Sequence, residues 1–392
     1  MKIAYFSPLP PQKSGISAYS KHLLKALSSK SDLEVFHYGN CELSDITLHD
    51  YCNKPSSLSH LNDFDVFIYH IGNNPHYHSV IRDVLVSNPG IVVLHDAFLY
   101  YLVAGRGIGG LFREFQLSEI DPTVSIFNSL SKIKQISQND ILKFGSPEIY
   151  PFLGTVLRYA KMVIVHSFTA LKAVKEFGFH NKVIVIPHLA FTNDLKLKEN
   201  INIEKIRSEM GIGRGEFLVG LFGFIGPTKQ IQKVLFAIKE LVEKKYPVKL
   251  LIVGIGDDIK PMINKLGLSD YIIVKGFVND DDFQILFSFV DAVINLRFPS
   301  SGEASGSLIH AFSHGKAAVV SDVAWFSELP NRIVKKIPIG INEVPKLVNT
   351  LKTWIDNPEV VSKMGKSALR YSQQNFSPDK VAEMYIDACR KL

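Results

Sequence analysis

Short apolar runs alternate along the chain with longer segments in which apolar residues recur at helical spacing. The short runs are rich in Val, Ile and Leu, and this alternation is typical of parallel sheets covered by helices on both faces. The pattern predicts an α/β protein with two doubly wound domains of six strands each. The expected strands span residues 2–7, 33–38, 66–71, 91–95, 162–166, 183–187, 217–223, 248–254, 271–277, 292–296, 317–321 and 332–337.

A polar segment of mixed charge separates the two sets of strands. Residues 192–215 carry no strand pattern, which makes them the best candidate for a linker. A chain of 392 residues is also long enough for about two domains. We expect an N-terminal domain over 1–192, a C-terminal domain over 193–374, and a final helix over 375–392 that packs back on the N-terminal domain.

Composition narrows the class of protein. Hydrophobic residues make up 46% of the chain and aromatic residues 11%, which is enough to build substantial cores. The chain begins with strand-like residues rather than a signal-peptide pattern, and no apolar run reaches the length of a membrane-spanning helix. The three cysteines have spacings that suit neither disulfides nor a metal site, as in a reducing compartment. These features predict a cytoplasmic protein.

The charge of the chain is modest. The formal net charge is +6, and Lys and Arg are scattered, so a nucleic-acid-binding surface is not expected. Peripheral attachment to the inner face of the cell membrane through a basic patch is a further hypothesis.

The loop after the first strand is a candidate binding loop, because ligands of such sheets bind where strand ends lead into helix N-termini. In SPLPPQKSGISAYSKHLLKAL, Ser14 and Gly15 precede a predicted helix. Gly15 would allow a ligand to approach the main chain closely. An ordinary turn glycine explains the spacing equally well.

The sequence after the seventh strand indicates an anion site. GFIGPTKQIQKVLFAIKELVEK predicts a helix that begins near Thr228, with Lys229 in its first turn. A cation in that turn opposes the helix dipole, and a bound phosphate would reverse the sign of the effect. The alternative is an ordinary surface lysine.

A second anion site is indicated after the tenth strand, in SSGEASGSLIHAFSHGKAAVVSD. Gly302 and residues 305–307 place main-chain N–H groups before a short helix predicted over 308–313, and such groups bind anions. Glu303 would be repelled by a phosphate, so it is better suited to accept hydrogen bonds from hydroxyl groups such as those of a sugar. A solvated loop carboxylate is the alternative.

No metal site is expected. The aspartates at 280–282 precede an apolar helix predicted over 283–290 and suit its cap and its dipole. His70, His76 and His78 lack the spacing of zinc ligands.

Two further segments are candidates for contact with the hydroxyl groups of a second ligand, the acceptor. Asn73 and Asn74 either shape a turn or contact acceptor hydroxyl groups. Residues 105–159 contain helical stretches and form either a lid on the acceptor side or ordinary helical cover.

Ten short motifs carry a resemblance to a known family and occur in that family's order. They are SPLPPQKSGISAYS, YHIGNNPHYH, VVLHDAFL, VIVHS, VIPH, FGFIGPTKQ, VGIGDD, VKGFV, RFPSSGEASGSL and GKAAVVSDVAWFSELP. Over nearly its whole length the chain resembles the family 4 retaining glycosyltransferases (group 1 glycosyltransferases). The resemblance implies the GT-B fold, in which two Rossmann-like domains face each other across a cleft.

The resemblance also implies a reaction. A sugar would move from a nucleotide-diphosphate sugar to an acceptor hydroxyl, with retention of configuration and with no metal or other cofactor, in cell-surface polysaccharide or glycoconjugate synthesis. The C-terminal domain would hold the nucleotide sugar, and the N-terminal domain a glycan, lipid-linked or protein acceptor. The alternatives are a nucleotide-sugar epimerase, a glycogen-type phosphorylase relative, and a catalytically inactive sugar-nucleotide or glycan-binding module.

Individual residues match functional positions of that family. Lys229 matches a lysine that contacts the donor diphosphate, Glu303 matches the first of two glutamates and would contact donor-sugar hydroxyls, and His95 matches a histidine near the reacting centre. The other matches are Gly15, beside the diphosphate, and the amide loop of Ser305, Gly306 and Ser307.

The chain departs from the family at two positions. Phe224 stands where many relatives have an arginine, and Arg297 could substitute for it. His310 replaces the second glutamate, and a neutral imidazole can still hydrogen-bond a ribose hydroxyl. In such clefts main-chain groups often recognise the base, and we expect this around Phe277 and Val278.

Overall fold

The runs rich in Val, Ile and Leu form strands, and every strand pairing in the described part of the chain is parallel. The computed structural model describes residues 1–107, 152–191 and 202–392. These residues divide into two units. Unit 1 comprises Met1–Leu189, Ser301–Ala304 and Pro378–Leu392, and unit 2 comprises Ala190–Ser300 and Ser305–Ser377.

Unit 1 contains a seven-stranded sheet with the order β3-β2-β1-β4-β5-β6-β7. Its strands are β1 (Lys2–Phe6), β2 (Asp32–His37), β3 (Leu48–Asp50), β4 (Val66–Ile71), β5 (Gly90–Leu94), β6 (Ala160–Val165) and β7 (Lys182–Val185). A 3-10 helix spans Pro55–Asp63. The α-helices described before unit 2 are α1 (Gly15–Leu27), α2 (Pro75–Ser87), α3 (Tyr100–Ala104), α4 (Gly154–Tyr159) and α5 (Phe168–Glu176).

Unit 2 contains a six-stranded sheet with the order β10-β9-β8-β11-β12-β13. Its strands are β8 (Phe217–Phe222), β9 (Val248–Val253), β10 (Ile272–Lys275), β11 (Ala292–Asn295), β12 (Ala317–Ser321) and β13 (Val334–Ile337). Its α-helices are α6 (Ile203–Glu209), α7 (Ile231–Glu243), α8 (Lys260–Lys265), α9 (Asp280–Phe289), α10 (Gly306–Ser313), α11 (Ala324–Glu328), α12 (Glu343–Asp356) and α13 (Pro358–Asn375).

The predicted doubly wound α/β class is confirmed, and each of the twelve predicted strands is present with ends within two residues of those expected. Strand β3 and helix α6 are among the elements that were not predicted. Strand β3 is a three-residue edge strand beside β2 with no fully buried side chain, so it lacks an apolar pattern. Helix α6 lies inside the predicted linker, capped by Asn202, and buries none of its side chains.

The last helix of the chain, α14 (Pro378–Cys389), belongs to unit 1 and packs against α1. Alternating residues of β1 point to opposite faces of the sheet, and Ile3 and Tyr5 lie in the same apolar cluster as residues of α1 and α14. The hydroxyl groups of Tyr19 and Tyr385 are 2.8 Å apart, and both side chains are fully buried. This hydrogen bond joins α1 to α14 inside the core.

Among residues 1–107, 152–191 and 202–392, no helix combines the length and the apolar character that crossing a bilayer requires.

Tyr385→Phe is expected to lower the free energy of unfolding by about 1–3 kcal/mol, because the Tyr19 hydroxyl stays buried after losing its partner. Changing Tyr19 and Tyr385 to Phe together is expected to cost less than the sum of the single changes, since neither hydroxyl is then left unpaired. Urea unfolding measures all three variants. Met384→Ala, on the exposed side of α14, is the control. Single costs that simply add would contradict the prediction.

Candidate functional site

Lys229 is buried at the carboxyl end of β8. Its side chain is 2% exposed, and Nζ donates a hydrogen bond to the main-chain oxygen of Phe222 at 2.6 Å. Gly223 follows with a φ of +100°, and a Cβ at this position would lie 3.4 Å from Nζ of Lys229. Glycine therefore provides the backbone conformation at the strand end and leaves room for the ammonium group beside it.

The local structure around Lys229 differs from the prediction. Lys229 ends a 3-10 turn over Pro227–Lys229, and α7 begins only at Ile231, so the expectation that Lys229 lies in the first turn of that α-helix is wrong. Gln230 separates the two helices with a φ of 54°, and its Nε2 donates to the main-chain oxygen of Phe298 at 2.6 Å. This contact with a distant loop supports a backbone conformation that sequence periodicity does not reveal.

The amide loop before α10 is organised by Asn295, the last residue of β11. Asn295 is 1% exposed, and its Nδ2 donates to Oγ of Ser305 at 3.1 Å and to Oγ of Ser307 at 2.9 Å. Ser305 caps α10, which begins at Gly306, two residues before the predicted start. Asn295 was not predicted from the sequence, although a polar residue at the end of a buried strand is a signal that could have indicated it.

The amide loop and Lys229 border the same point of unit 2. The position that a Cβ of Gly223 would occupy lies 3.8 Å from Oγ of Ser307 and 3.4 Å from Nζ of Lys229. Arg297 adjoins the 3-10 turn, since its Nη1 donates to Oγ1 of Thr228 at 2.9 Å. The carboxyl edge of this sheet thus collects a lysine, an arginine, two hydroxyl groups and a helix N-terminus, which is an arrangement suited to an anion.

The remaining predicted residues of unit 2 are aromatic or lie beside aromatic residues. The ring of His310 is stacked on that of Phe191, with centroids 3.8 Å apart and planes at 2°. Phe224 is 68% exposed. Phe277 is exposed and Val278 is half-buried, in the loop between β10 and α9.

Glu303 lies in the short segment Ser301–Ala304 that belongs to unit 1. The segment is held by a hydrogen bond from the main-chain nitrogen of Ala97 to the oxygen of Ser301, at 2.7 Å. Gly302 has a φ of +76°, and a Cβ there would lie only 3.0 Å from Cβ of Ala97. Oε2 of Glu303 accepts from the main-chain nitrogen of Ser301 at 2.7 Å, which fixes the orientation of the carboxylate.

His95 follows β5 and is one of five histidines that pack together in unit 1. His70, His78, His166 and His188 are buried, whereas His95 is partly exposed. Burial lowers the pKa of His78 and of His166 to about 4 and that of His188 to about 3, and it holds the pKa of His70 and of His95 well below the ordinary value. All five rings are therefore neutral near pH 7.

The predicted acceptor-contacting residues Asn73 and Asn74 form hydrogen bonds with main-chain groups of unit 1, and Gly15, predicted to lie beside the diphosphate, begins a helix. Oδ1 of Asn73 accepts hydrogen bonds from the main-chain nitrogens of Tyr101 and Leu102, at 2.8 and 3.1 Å. Oδ1 of Asn74 caps α2. Gly15 is the first residue of α1, and a Cβ there would meet nothing within 4 Å. Of the predicted lid over 105–159, residues 108–151 lie outside the described part of the chain.

A cavity of about 260 Å³ lies at the carboxyl edge of the unit 1 sheet. Gln12 lines it, and Oε1 of Gln12 is buried without a hydrogen-bond partner, while Nε2 donates to the main-chain oxygen of Tyr38 at 2.9 Å. This cavity was not predicted from the sequence. Its lining residues are Ser7, Pro8, Gln12, Tyr38, Gly39, His76, Tyr77 and Ile81.

No group of three or more His, Cys, Asp or Glu side chains within 1–107, 152–191 and 202–392 is placed to hold a metal ion. Asn279 caps α9 through a hydrogen bond from the main-chain nitrogen of Asp282 at 2.8 Å, and the aspartates at 280–282 form the first turn of that helix.

Comparison with known families gives a match over most of unit 2. Residues 202–371 match the family model described as glycosyl transferases group 1. This segment is similar to the group 1 glycosyl transferases. The matched segment includes Lys229, Arg297, the amide loop and His310, so the predicted family resemblance is confirmed for that part of the chain.

Solved structures extend the likeness to the whole fold. The chain is similar to Anabaena HepE in complex with UDP and glucose, with a TM-score of 0.70 and 17% identity over the full length of both chains. It is also similar to sucrose-phosphate synthase from Thermosynechococcus elongatus, with a TM-score of 0.68 and 14% identity over all of this chain and 98% of that one. The chain has the GT-B fold, as predicted.

A curated relative matches part of the chain. Alpha-monoglucosyldiacylglycerol synthase of Streptococcus pneumoniae is 23% identical over 193 residues, which are 48% of this chain and 42% of that protein. The match therefore spans less than half the length of this relative.

The buried histidines predict that stability falls in mild acid. Their pKa in the unfolded chain is about 6.5, so between about pH 6.5 and pH 4 the unfolded chain binds protons that the folded chain does not. A shift from 6.5 to about 4, as for His166, lowers the free energy of unfolding by about 3 kcal/mol across this window. Urea unfolding at several pH values between 7.5 and 5 measures the slope.

His166→Phe should make that slope shallower, because it removes one of the titrating groups. His60→Gln, at an exposed position, is the control. A free energy of unfolding that is constant over this range of pH would contradict the prediction.

Proposed function

We propose that this chain is a retaining glycosyltransferase that moves a sugar from a nucleotide-diphosphate sugar to an acceptor hydroxyl, without a metal ion. The observation that carries the proposal is the placement of the buried Lys229 ammonium group beside Ser307 of the amide loop, in the segment that is similar to the group 1 glycosyl transferases. A fixed cation and main-chain N–H groups at the carboxyl edge of one sheet are groups that can bind a diphosphate.

In the proposed reaction, the bond between the anomeric carbon and the diphosphate oxygen breaks while the acceptor oxygen bonds to the same face of the sugar. The acceptor proton passes to the departing phosphate, so no protein nucleophile is needed. Negative charge develops on the leaving oxygen, and Lys229, Arg297 and the Ser305–Ser307 amides are the groups proposed to stabilise it. Each well-placed donor is worth about 3–4 kcal/mol.

Other groups are proposed to bind the rest of the donor. Glu303 accepts hydrogen bonds from sugar hydroxyls, and His95 contacts a sugar oxygen. His310 contacts the ribose, although its ring is stacked on Phe191 and offers less reach than a glutamate. The main chain near Phe277 and Val278 contacts the base.

The acceptor is proposed to bind the unit 1 cavity. Tyrosine and histidine rings give it faces for the apolar side of a saccharide, and the buried Oε1 of Gln12 can accept a hydrogen bond from a hydroxyl group. The name of the pneumococcal relative favours testing glycolipid acceptors beside free glycans, in line with a role in polysaccharide or glycoconjugate synthesis. Sedimentation with anionic liposomes tests peripheral membrane attachment, and protein that stays in the supernatant would contradict it.

A second candidate is a sugar-nucleotide-binding module without turnover. The exposed Phe224 ring and the stacked His310 favour it, because both replace charged residues of the family pattern. Donor binding without product, across glycan and lipid acceptors, would support this candidate. Conversion of the donor without any acceptor would instead identify an epimerase.

A thermal-shift screen tests the donor. UDP-, GDP- and ADP-sugars are compared in buffer with EDTA, and UDP-glucose comes first because HepE was solved with it. One compound is expected to raise the unfolding temperature, since a ligand at 100 times its dissociation constant adds about 2.7 kcal/mol of stability. The absence of a shift with any of the sugars at millimolar concentration would contradict the proposal.

Lys229→Met keeps most of the buried volume and removes the ammonium group. We expect kcat/KM for sugar transfer to fall by about 100-fold to 1,000-fold, because one donor to the leaving phosphate is lost. Lys239→Ala, at a partly exposed position in α7, is the matched control. A folded Lys229→Met protein with full transfer activity would refute the role of Lys229.

A further inference from the structure

Two histidines from neighbouring strands of unit 1 are joined ring to ring. His70 lies in β4, and His95 follows β5, which pairs with β4 in parallel. The main-chain nitrogen of His95 donates to the oxygen of Ile71 at 2.9 Å, so the ladder continues to this residue. Nδ1 of His70 and Nε2 of His95 are 2.9 Å apart. The His70 ring is fully buried, and the His95 ring is partly exposed.

The burial of His70 decides which ring carries the shared proton. Both rings are neutral, so one nitrogen of each ring carries a proton and the other is an acceptor. Nε2 of His70 is buried without a hydrogen-bond partner. A buried N–H without an acceptor is rarer in proteins than an acceptor without a donor. The proton of His70 therefore belongs on Nδ1, which donates to Nε2 of His95, and the proton of His95 belongs on Nδ1.

The surrounding rings hold His70 in this orientation. The centroid of the His70 ring is 4.6 Å from that of Tyr5, 5.7 Å from that of Tyr19 and 6.3 Å from that of Tyr385. Tyr19 also packs edge-on against His95, with centroids 5.0 Å apart. These contacts come from β1, α1 and α14, so the orientation of the pair is a property of the assembled core.

The residues after His95 contact a segment with further polar groups. The next two residues contact the segment that carries Glu303, through the hydrogen bond from Ala97 to Ser301 and a contact of 3.5 Å between Oγ of Ser301 and Oδ1 of Asp96. These contacts join the loop that begins at His95 to the segment that carries Glu303. An N–H donor and a carboxylate acceptor together match a ligand with hydroxyl groups, because a hydroxyl group both donates and accepts.

We propose that His70 is a positioning residue, which locks His95 in the tautomer with its proton on Nδ1, so that His95 offers a neutral N–H donor to a ligand oxygen. The identity of that oxygen as part of a sugar rests on the proposed function, whereas the tautomer does not. In this state Nδ1 of His95 carries the proton and has no free lone pair with which to take another. His95 therefore acts as a hydrogen-bond donor and not as a general base.

Long-range proton–nitrogen NMR correlation on full-length protein with labelled histidine reads the tautomer directly. The signals of His95 are identified by their loss in His95→Asn. At pH 7 the wild-type protein is expected to show His95 protonated on Nδ1. A proton on Nε2, or a charged imidazolium, would overturn the proposal.

Two replacements of His70 separate positioning from packing. His70→Phe fills the space without a donor and is expected to release His95 to the Nε2-protonated form. His70→Asn places an amide N–H near the position of Nδ1 and is expected to retain the wild-type pattern. His188→Phe is the control, because His188 is also buried against Tyr19 but hydrogen-bonds the main chain. An unchanged His95 pattern in His70→Phe would overturn the proposal.

Kinetics then test the consequence. With the donor found in the thermal-shift screen, His70→Phe is expected to lower kcat/KM by about tenfold or more. The reason is that Nδ1 of His95 would no longer carry the proton that it donates to the ligand oxygen. His70→Asn is expected to recover most of this loss. If no nucleotide sugar binds, the proposed function fails while the NMR result stands. If transfer occurs with His95 protonated on Nε2, the tautomer lock alone fails.

Discussion

Parallel pairing is the constraint on which the rest of this structure depends. Because the strands of each described sheet run in one direction, their carboxyl ends open at a single edge, and the loops there supply the polar groups. Lys229, Asn295 and His95 come from different strand ends and reach these edges for the same reason. No single loop contains all of these residues. The strand order of each sheet determines which of them lie close together.

The polar groups at the carboxyl edges of the two sheets differ in charge. In unit 2 the polar groups are cationic or are main-chain amides, which suit the dispersed negative charge of a diphosphate. In unit 1 the environment of His70 and His95 disfavours a charge on their rings, so these rings are neutral hydrogen-bonding groups, and Glu303 adds a carboxylate acceptor. The two sheets therefore differ in the charge of the polar groups at their carboxyl ends.

Local pattern was enough to predict the strands but not the details of the sites. Buried parallel strands read as apolar runs, so the sequence predicts all but β3, which has only three half-buried residues. The turn at Lys229 depends on Gln230 reaching the main chain of Phe298, and no periodicity encodes a contact between loops so far apart in sequence. Asn295, His70 and the stacking of His310 on Phe191 were hidden for the same reason. Residue types at strand ends indicate the kind of site, whereas the partners of each atom come from tertiary packing.

The position of α14 affects how this protein can be made. Val381, Tyr385, Ile386 and Cys389 belong to the core of unit 1, yet all of unit 2 is synthesised before them. During translation, the apolar surface of unit 1 that α14 covers stays exposed until unit 2 has been synthesised. This order differs from the usual one, in which an N-terminal domain folds first. A fragment that ends at residue 189 would lack α14 and leave that apolar surface exposed to solvent. A single truncation between the two units therefore does not give a complete unit 1 for expression.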